Sequence, residues 1–184
     1  PDNYQFQVFR MQLYEQTQQP PAKMIPAYEA VLRMDSRNIV VMNNLAWNLC
    51  LIRKDLLRAE QLSRTTIMRD PTNPIYLDTY AWILSKQGLY EEARKYMRQA
   101  LSYDKSKSSA LPEHYGDILF ELGEYFMART YWSKALELGA DKAAIEAAME
   151  DYRNRRKNSQ PIQPSAGCTF RNPAEIPAGK LIEE

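Results

Sequence analysis

The chain has 184 residues, 45% of them apolar and 26% charged, which is enough for one globular domain or a short solenoid with a real core. Lysines and arginines number 24 against 23 aspartates and glutamates, and the resulting formal charge of +1 is too balanced for a dedicated nucleic-acid binder. No apolar run approaches the roughly 18 residues of a membrane span. Two cysteines cannot build a disulfide framework or a four-cysteine zinc site, and the single histidine, His114, supplies a catalytic metal poorly. The sequence opens at Pro1 without an initiator methionine, so it reads as a processed product or an excised fragment, and any targeting signal is open.

Six glycines, with long stretches of Leu, Ala, Glu, Arg and Lys, favour helices over strands. In chain order, Tyr28-Glu29-Ala30-Val31-Leu32-Arg33-Met34-Asp35 closes a first helical stretch, in which Pro26 predicts a kink or a late start. Asn44-Leu45-Ala46-Trp47, Ala59 and Asp70-Pro71 follow, with one extra residue in the turn around Arg53-Lys54-Asp55. Leu77, Tyr80, Ala81 and Leu84 then recur at helical spacing until Lys86-Gln87-Gly88 breaks the pattern. Tyr90, Ala93, Tyr96, Met97, Ala100 and Leu101 share the face of another helix. Shifted by 35 residues, this stretch falls on the next: Ala81 on Gly116, Gly88 on Gly123, Tyr90 on Tyr125, Ala93 on Ala128 and Ala100 on Ala135. Small residues at matched places let two helices approach closely, and a pair of this kind must stack on neighbours to bury its apolar face.

These units resemble tetratricopeptide repeats of bacterial type. Gln87-Gly88-Leu89-Tyr90-Glu91-Glu92-Ala93 with Ala100-Leu101-Ser102-Tyr103-Asp104 carries the likeness, and Tyr115-Gly116, Leu122-Gly123-Glu124-Tyr125, Ala128 and Ala135-Leu136-Glu137-Leu138 repeat it. The resemblance implies an all-α, right-handed superhelical solenoid of antiparallel helix pairs. Helices are expected at about 3–17, 21–34, 39–52, 55–69, 74–87, 90–103, 109–122 and 125–138, giving repeats over about 4–35, 39–71, 74–105 and 109–139. A capping helix over 141–157 completes a repeat domain of residues 1–157, with Asp141 as its N-cap and Ala144, Ile145, Ala148, Met149 and Tyr152 as its apolar stripe. Its basic end, Arg153, Arg155, Arg156 and Lys157, suits the negative pole of the helix. Residues 158–184 read as an extended tail, because Pro161, Pro164, Pro173 and Pro177 forbid a long helix.

Chemistry is sparse. Glu113, Asp117 and Glu121 share a helical face at four-residue spacing, with His114 offset by about 100°. That pattern reads as an exposed acidic stripe and supplies too few ligands for a metal. No nucleophile, phosphate loop or second histidine accompanies it, so no enzyme and no cofactor are expected. Cys50, among Leu49, Leu51 and Ile52, reads as a core thiol.

Binding is the expected role, in a concave groove that the resemblance lines with the first helix of each pair. The family's groove positions fall on Asn43, Trp47 and Leu51, then on Asp78, Trp82, Ser85 and Lys86, then on Glu113, Asp117, Phe120 and Glu121. Trp47 and Trp82 hold the same place in successive repeats, as packing between helices or as an aromatic platform for a ligand. Some domains of this family clamp an acidic peptide terminus with cations. Asn43 and Asn44 resemble that clamp, but Asp78, Glu113, Asp117 and Glu121 would repel such a peptide. The expected partner is therefore a protein or peptide segment that is apolar with a basic flank, not nucleic acid, and no transmembrane segment is expected. Two alternatives stand beside this scaffold: a module self-associating through its solenoid ends or the tail at 158–184, and a helical accessory fragment of a larger enzyme or cell-envelope protein. The run Leu77-Asp78-Thr79-Tyr80-Ala81-Trp82 is similar to repeats of bacterial envelope proteins, which favours the periplasmic side of an envelope over the cytoplasm.

Overall fold

Asparagines at positions 3, 38 and 73, 35 residues apart, each start a helix by accepting a backbone N–H from two or three residues further on. The computed structural model describes residues 3–159. Among these, nine helices and no strand occur: α1 (Tyr4–Gln16), α2 (Pro21–Met34), α3 (Ile39–Leu51), α4 (Leu56–Arg69), α5 (Pro74–Lys86), α6 (Tyr90–Tyr103), α7 (Ala110–Glu121), α8 (Tyr125–Glu137) and α9 (Lys142–Ser159). Every expected helix is present, within a few residues at each end. The chain divides into two compact units between Glu146 and Ala147; the first holds α1–α8 and the first turn of α9.

The first unit is a solenoid of four antiparallel pairs. Each first helix (α1, α3, α5, α7) packs on its own second helix, and each second helix packs on the following first helix. First helices also touch across repeats, α3 on α5 and α5 on α7, whereas no such contact joins the second helices. The first helices therefore line the tighter, inner side. Ala46, Ala81 and Gly116 hold matching places on the first helices, and Ala59, Ala93 and Ala128 on the second helices, all sealed from solvent, as small residues at close helix crossings are. The space beside each crossing is filled differently: Ser63, Met97 and Trp132 hold matching places on α4, α6 and α8, and all are buried.

The turns show how the pairs close. Gly88 and Gly123 take φ near +80° after α5 and α7, where a side chain would be strained. After α3 the extra residue is accommodated by two non-glycine residues in that region, Arg53 and Asp55. Asp55 still caps α4 by accepting the Arg58 N–H at 3.1 Å.

Two expectations need correction. α2 shows no late start: it begins at Pro21 and runs through Pro26 to Met34. Pro26 and Ala22, whose carbonyl loses its usual donor, both face solvent, so water satisfies the orphan group. In α9, Asp141 does cap the helix by accepting the Ala143 N–H at 2.9 Å, and Ile145 is buried, but Ala144 is exposed because it lies a third of a turn round from Ile145. α9 also continues to Ser159, past the expected start of the tail. The rest of the tail, with Cys168, and the side chains of Tyr152, Arg155, Arg156 and Lys157 lie outside the described residues. Cys50 is buried, and that burial pushes its thiol up to about 11, as a core cysteine requires.

Polar ties run from repeat to repeat. Glu15 accepts from Tyr28 Oη at 2.9 Å and from Asn44 Nδ2 at 3.1 Å, joining the first two pairs. Arg58 meets Glu29 at 2.7 Å, and Arg94 bridges Glu91 and Glu124. At such exposed sites each pair contributes at most about 1 kcal/mol, so burial of the crossings holds the stack together.

A methyl group added at Gly116 overlaps the indole of Trp132. Gly116→Ala is therefore expected to lower stability by about 1–3 kcal/mol, read as a lower midpoint of thermal unfolding by circular dichroism.

Candidate binding groove

Helical spacing puts positions 40, 43, 47 and 51 of α3 on one face, and 75, 78, 82 and 86 of α5 on the matching one. Val40, Leu51 and Ile75 leave half or more of their surface exposed on these faces. Between them stand the two tryptophans, half-buried, with ring centroids 6.4 Å apart.

His114 of α7 joins them. Its imidazole stacks on Trp82 at 4.3 Å between centroids and lies 5.6 Å from Trp47. Its Nδ1 is 2.8 Å from Oδ1 of Asp78, and both side chains are nearly closed to solvent. Burial works against a charged imidazole, but the charge and hydrogen bond of Asp78, with Asp117 and Glu113 behind it, outweigh that and raise its pKa. On Trp82 the Lys86 ammonium sits 3.6 Å from the ring centroid, a cation–π contact. Burial lowers the pKa of Lys86 despite the attraction of Asp117 and Glu121.

The acidic residues are not the exposed stripe that their spacing predicted. Glu121 is exposed, but Glu113 and Asp117 are half-buried. Asp117 Oδ1 accepts the Trp132 indole N–H at 2.9 Å. Burial raises both carboxyl pKa values; the Trp132 bond and His114 oppose it at Asp117, and His114 opposes it at Glu113. Asn43 and Ser85 are buried, Asn43 with its Oδ1 lacking a hydrogen-bond partner. Phe120 is buried too, its ring 5.6 Å from Trp132 and 5.5 Å from Tyr125, which makes it a strut behind the groove wall.

Beside Asp78 and Ile75 a cleft of roughly 700 Å³ opens between the start of α5 and the loop from α6 to α7, with Tyr103 and Lys105 on its far side. Asp104 shapes that loop. Its carboxylate accepts from Ser106 N–H at 2.8 Å and Ser108 N–H at 3.2 Å, and these bonds outweigh burial and hold its pKa low. No group of three His, Cys, Asp or Glu side chains suited to a metal occurs among the described residues.

The structure thus brings Trp47, Trp82, Lys86, Asp78 and Asp117 into one neighbourhood around His114. The groove positions alone missed His114, Trp132, Val40 and Ile75. Val40 and Ile75 carry a readable signal, since they extend the face of Trp47 and Trp82 by two turns. His114 falls beside that face and is found only once α7 is packed against α5.

Residues 76–107 match the family described as "Tetratricopeptide repeat". Among solved structures, one titled "MamA AMB-1" superposes with a TM-score of 0.59 at 17% identity, over 75% of this chain and 80% of that one. MamA from Desulfovibrio magneticus RS-1 gives 0.58 at 14% identity, over 73% and 72%. A matched repeat in a stack of like pairs defines the class: an α-helical repeat solenoid. The chain is similar to that family over those residues and shares the fold of those solved structures. Curated relatives are short matches of another kind. A UDP-N-acetylenolpyruvoylglucosamine reductase of Symbiobacterium thermophilum is 52% identical over 46 residues, covering 24% of this chain and 15% of the relative. The reductase of Syntrophomonas wolfei is 36% identical over 92 residues, covering 47% of this chain and 29% of the relative. The chain spans less than a third of the length of either.

With a single histidine in the sequence, one imidazole resonance reports the site. It should titrate above the ordinary 6.5, and Asp78→Asn should lower its midpoint. Because the folded pKa is the higher one, the ion pair's stabilisation is complete below 6.5 and is lost as the pH rises through the folded value. Thermal stability followed across that window should fall in the parent chain and change less in the variant.

Proposed function

We propose that the first unit binds a protein or peptide segment along the inner side of the solenoid, over Trp47 and Trp82 and toward Asp117 and Glu121. The observation that carries this reading is the exposed apolar stripe of Val40, Leu51 and Ile75 flanking two half-buried tryptophans beside half-buried carboxylates. Apolar surface at the centre takes up apolar side chains of the partner, where burial contributes about 25 cal/mol per Å². A basic flank meets Glu121, Asp117 and Glu113. Glu113 and Asp117 are held up by burial, so a bound cation pulls their pKa values down again. Affinity should accordingly weaken as the pH falls through those raised values. A terminal-carboxylate clamp is disfavoured because the cation of Lys86 is already seated on Trp82 and faced by Asp117.

Selection from a displayed library of 12-residue peptides tests the reading. Enriched sequences are expected to combine an apolar stretch with Lys or Arg. Trp82→Ala should weaken their binding by about tenfold or more, near 1.4 kcal/mol. Asp117→Asn, which keeps an acceptor for Trp132, should weaken it mainly at low salt. Affinities indifferent to both substitutions would remove the groove from the account.

A second reading is favoured by the reductase matches: a helical accessory segment of a larger enzyme. On this reading the chain alone does not reduce UDP-N-acetylenolpyruvoylglucosamine, and measured turnover would assign it the chemistry itself.

A further inference from the structure

The two sides of the solenoid carry opposite charge. The first helices α1, α3, α5 and α7 hold five carboxylates against two cations, Arg10 and Lys86, so the inner side is acidic. In the second helices α2, α4, α6 and α8 the balance reverses, with five carboxylates against ten lysines and arginines. Four of the inner carboxylates, Asp78, Glu113, Asp117 and Glu121, stand at the groove beside the exposed Val40, Leu51 and Ile75. A surface complementary to it presents cations next to a protruding apolar side chain.

The outer face of α8 has that makeup. Phe126 is 80% exposed, more than any other large apolar side chain among the described residues. Arg129 and Lys134 follow three and eight residues on, and the three line one side of the helix. Both cations are exposed, and neither enters an ion pair among the described residues, whereas Arg58, Arg64 and Arg94 on the other second helices are paired. The one carboxylate of α8 is its last residue, Glu137. Ala128, Trp132 and Ala135 form the buried side of α8, opposite Phe126, and that side is fixed on α7. A chain therefore cannot turn this face into its own groove; another copy can.

We infer that the groove of one chain takes the outer face of α8 from a second copy, with Phe126 against Ile75 and Val40, and Arg129 and Lys134 on Glu113, Asp117 and Glu121. The inference rests on the groove reading proposed above and names its occupant. From Phe126 to Lys134 is about 12 Å of helix, and packed neighbours such as α5 and α7 lie about 8–10 Å apart, so α8 laid across them reaches both. The two surfaces differ, so each contact leaves a groove free at one end and an α8 face free at the other. Copies then add head to tail into rings or filaments.

Sedimentation velocity on the full chain tests this. Species larger than a dimer are expected as concentration rises at low salt, and added salt should shrink them. Arg129→Glu with Lys134→Glu should raise the concentration needed for assembly by about tenfold or more. Ile75→Lys with Glu121→Lys should do the same from the groove side. All four positions are exposed, so helical content by circular dichroism should not change. An equimolar mixture of the two double variants is the sharpest arm: each keeps the surface that the other lacks, so a dimer is expected and nothing larger. Assembly that survives either double substitution, or a mixture that stays monomeric or grows past the dimer, overturns the inference. A parent chain that stays monomeric yet binds the selected groove peptides refutes the second copy and leaves the groove reading standing; one that does neither refutes both. Monomers that adhere to vesicles of anionic lipid through Arg129 and Lys134 would also overturn it, by making this face a membrane contact.

Discussion

A pair of antiparallel helices has apolar surface on both of its flanks, and only another pair can cover it. Everything else in this molecule follows from how closely the pairs are allowed to approach. At Ala46, Ala81 and Gly116 the first helix presents almost no side chain, and Ala59, Ala93 and Ala128 return the courtesy from the second. Backbones then lie near enough for dispersion contacts to be dense on both sides of the crossing. The first helices are drawn together along one edge of the stack, which creates the groove, while the second helices fan apart. An interior held by local contacts of this kind has no single centre, and its end faces inherit whatever the next pair would have covered.

The groove is not an empty trough awaiting charge. Its ionisable groups already answer one another: Asp78 with His114, Asp117 with the indole of Trp132, Lys86 with the ring of Trp82. A buried carboxylate that lost its partner would cost several kcal/mol, and both carboxylate pairings join different helices, Asp78 of α5 to α7 and Asp117 of α7 to α8. A ligand that brings a cation exchanges one set of pairings for another, so its selectivity rests on the difference between them.

The stack was largely legible in the sequence, because its cause is local. A shift of 35 residues superposes the alanines, glycines and tyrosines, and the helix ends follow from asparagine caps and glycine turns. The pattern does not say which side of a helix meets water, so it leaves open that α2 starts at Pro21 and carries Pro26 on its exposed side. The site was legible only in part. Trp47 and Trp82 share a register and could be paired by counting, but His114 reaches them by packing α7 across α5, a relation that no periodicity within one helix encodes. Likewise the half-burial of Asp117 depends on Trp132, which sits on a different helix 15 residues away.

Gly116 and Trp132 vary together against Ala81 and Met97 in the repeat before, one site shrinking as its neighbour swells. The units look alike in outline, yet they are not interchangeable bricks. Grafting α6 in place of α8 would set a methionine against a glycine and open a void, and the reverse graft would drive an indole into an alanine. Recombination that shuffles these pairs is thus constrained to carry both partners of a crossing as one block, so the lineage of this solenoid is expected to have moved by whole hairpins.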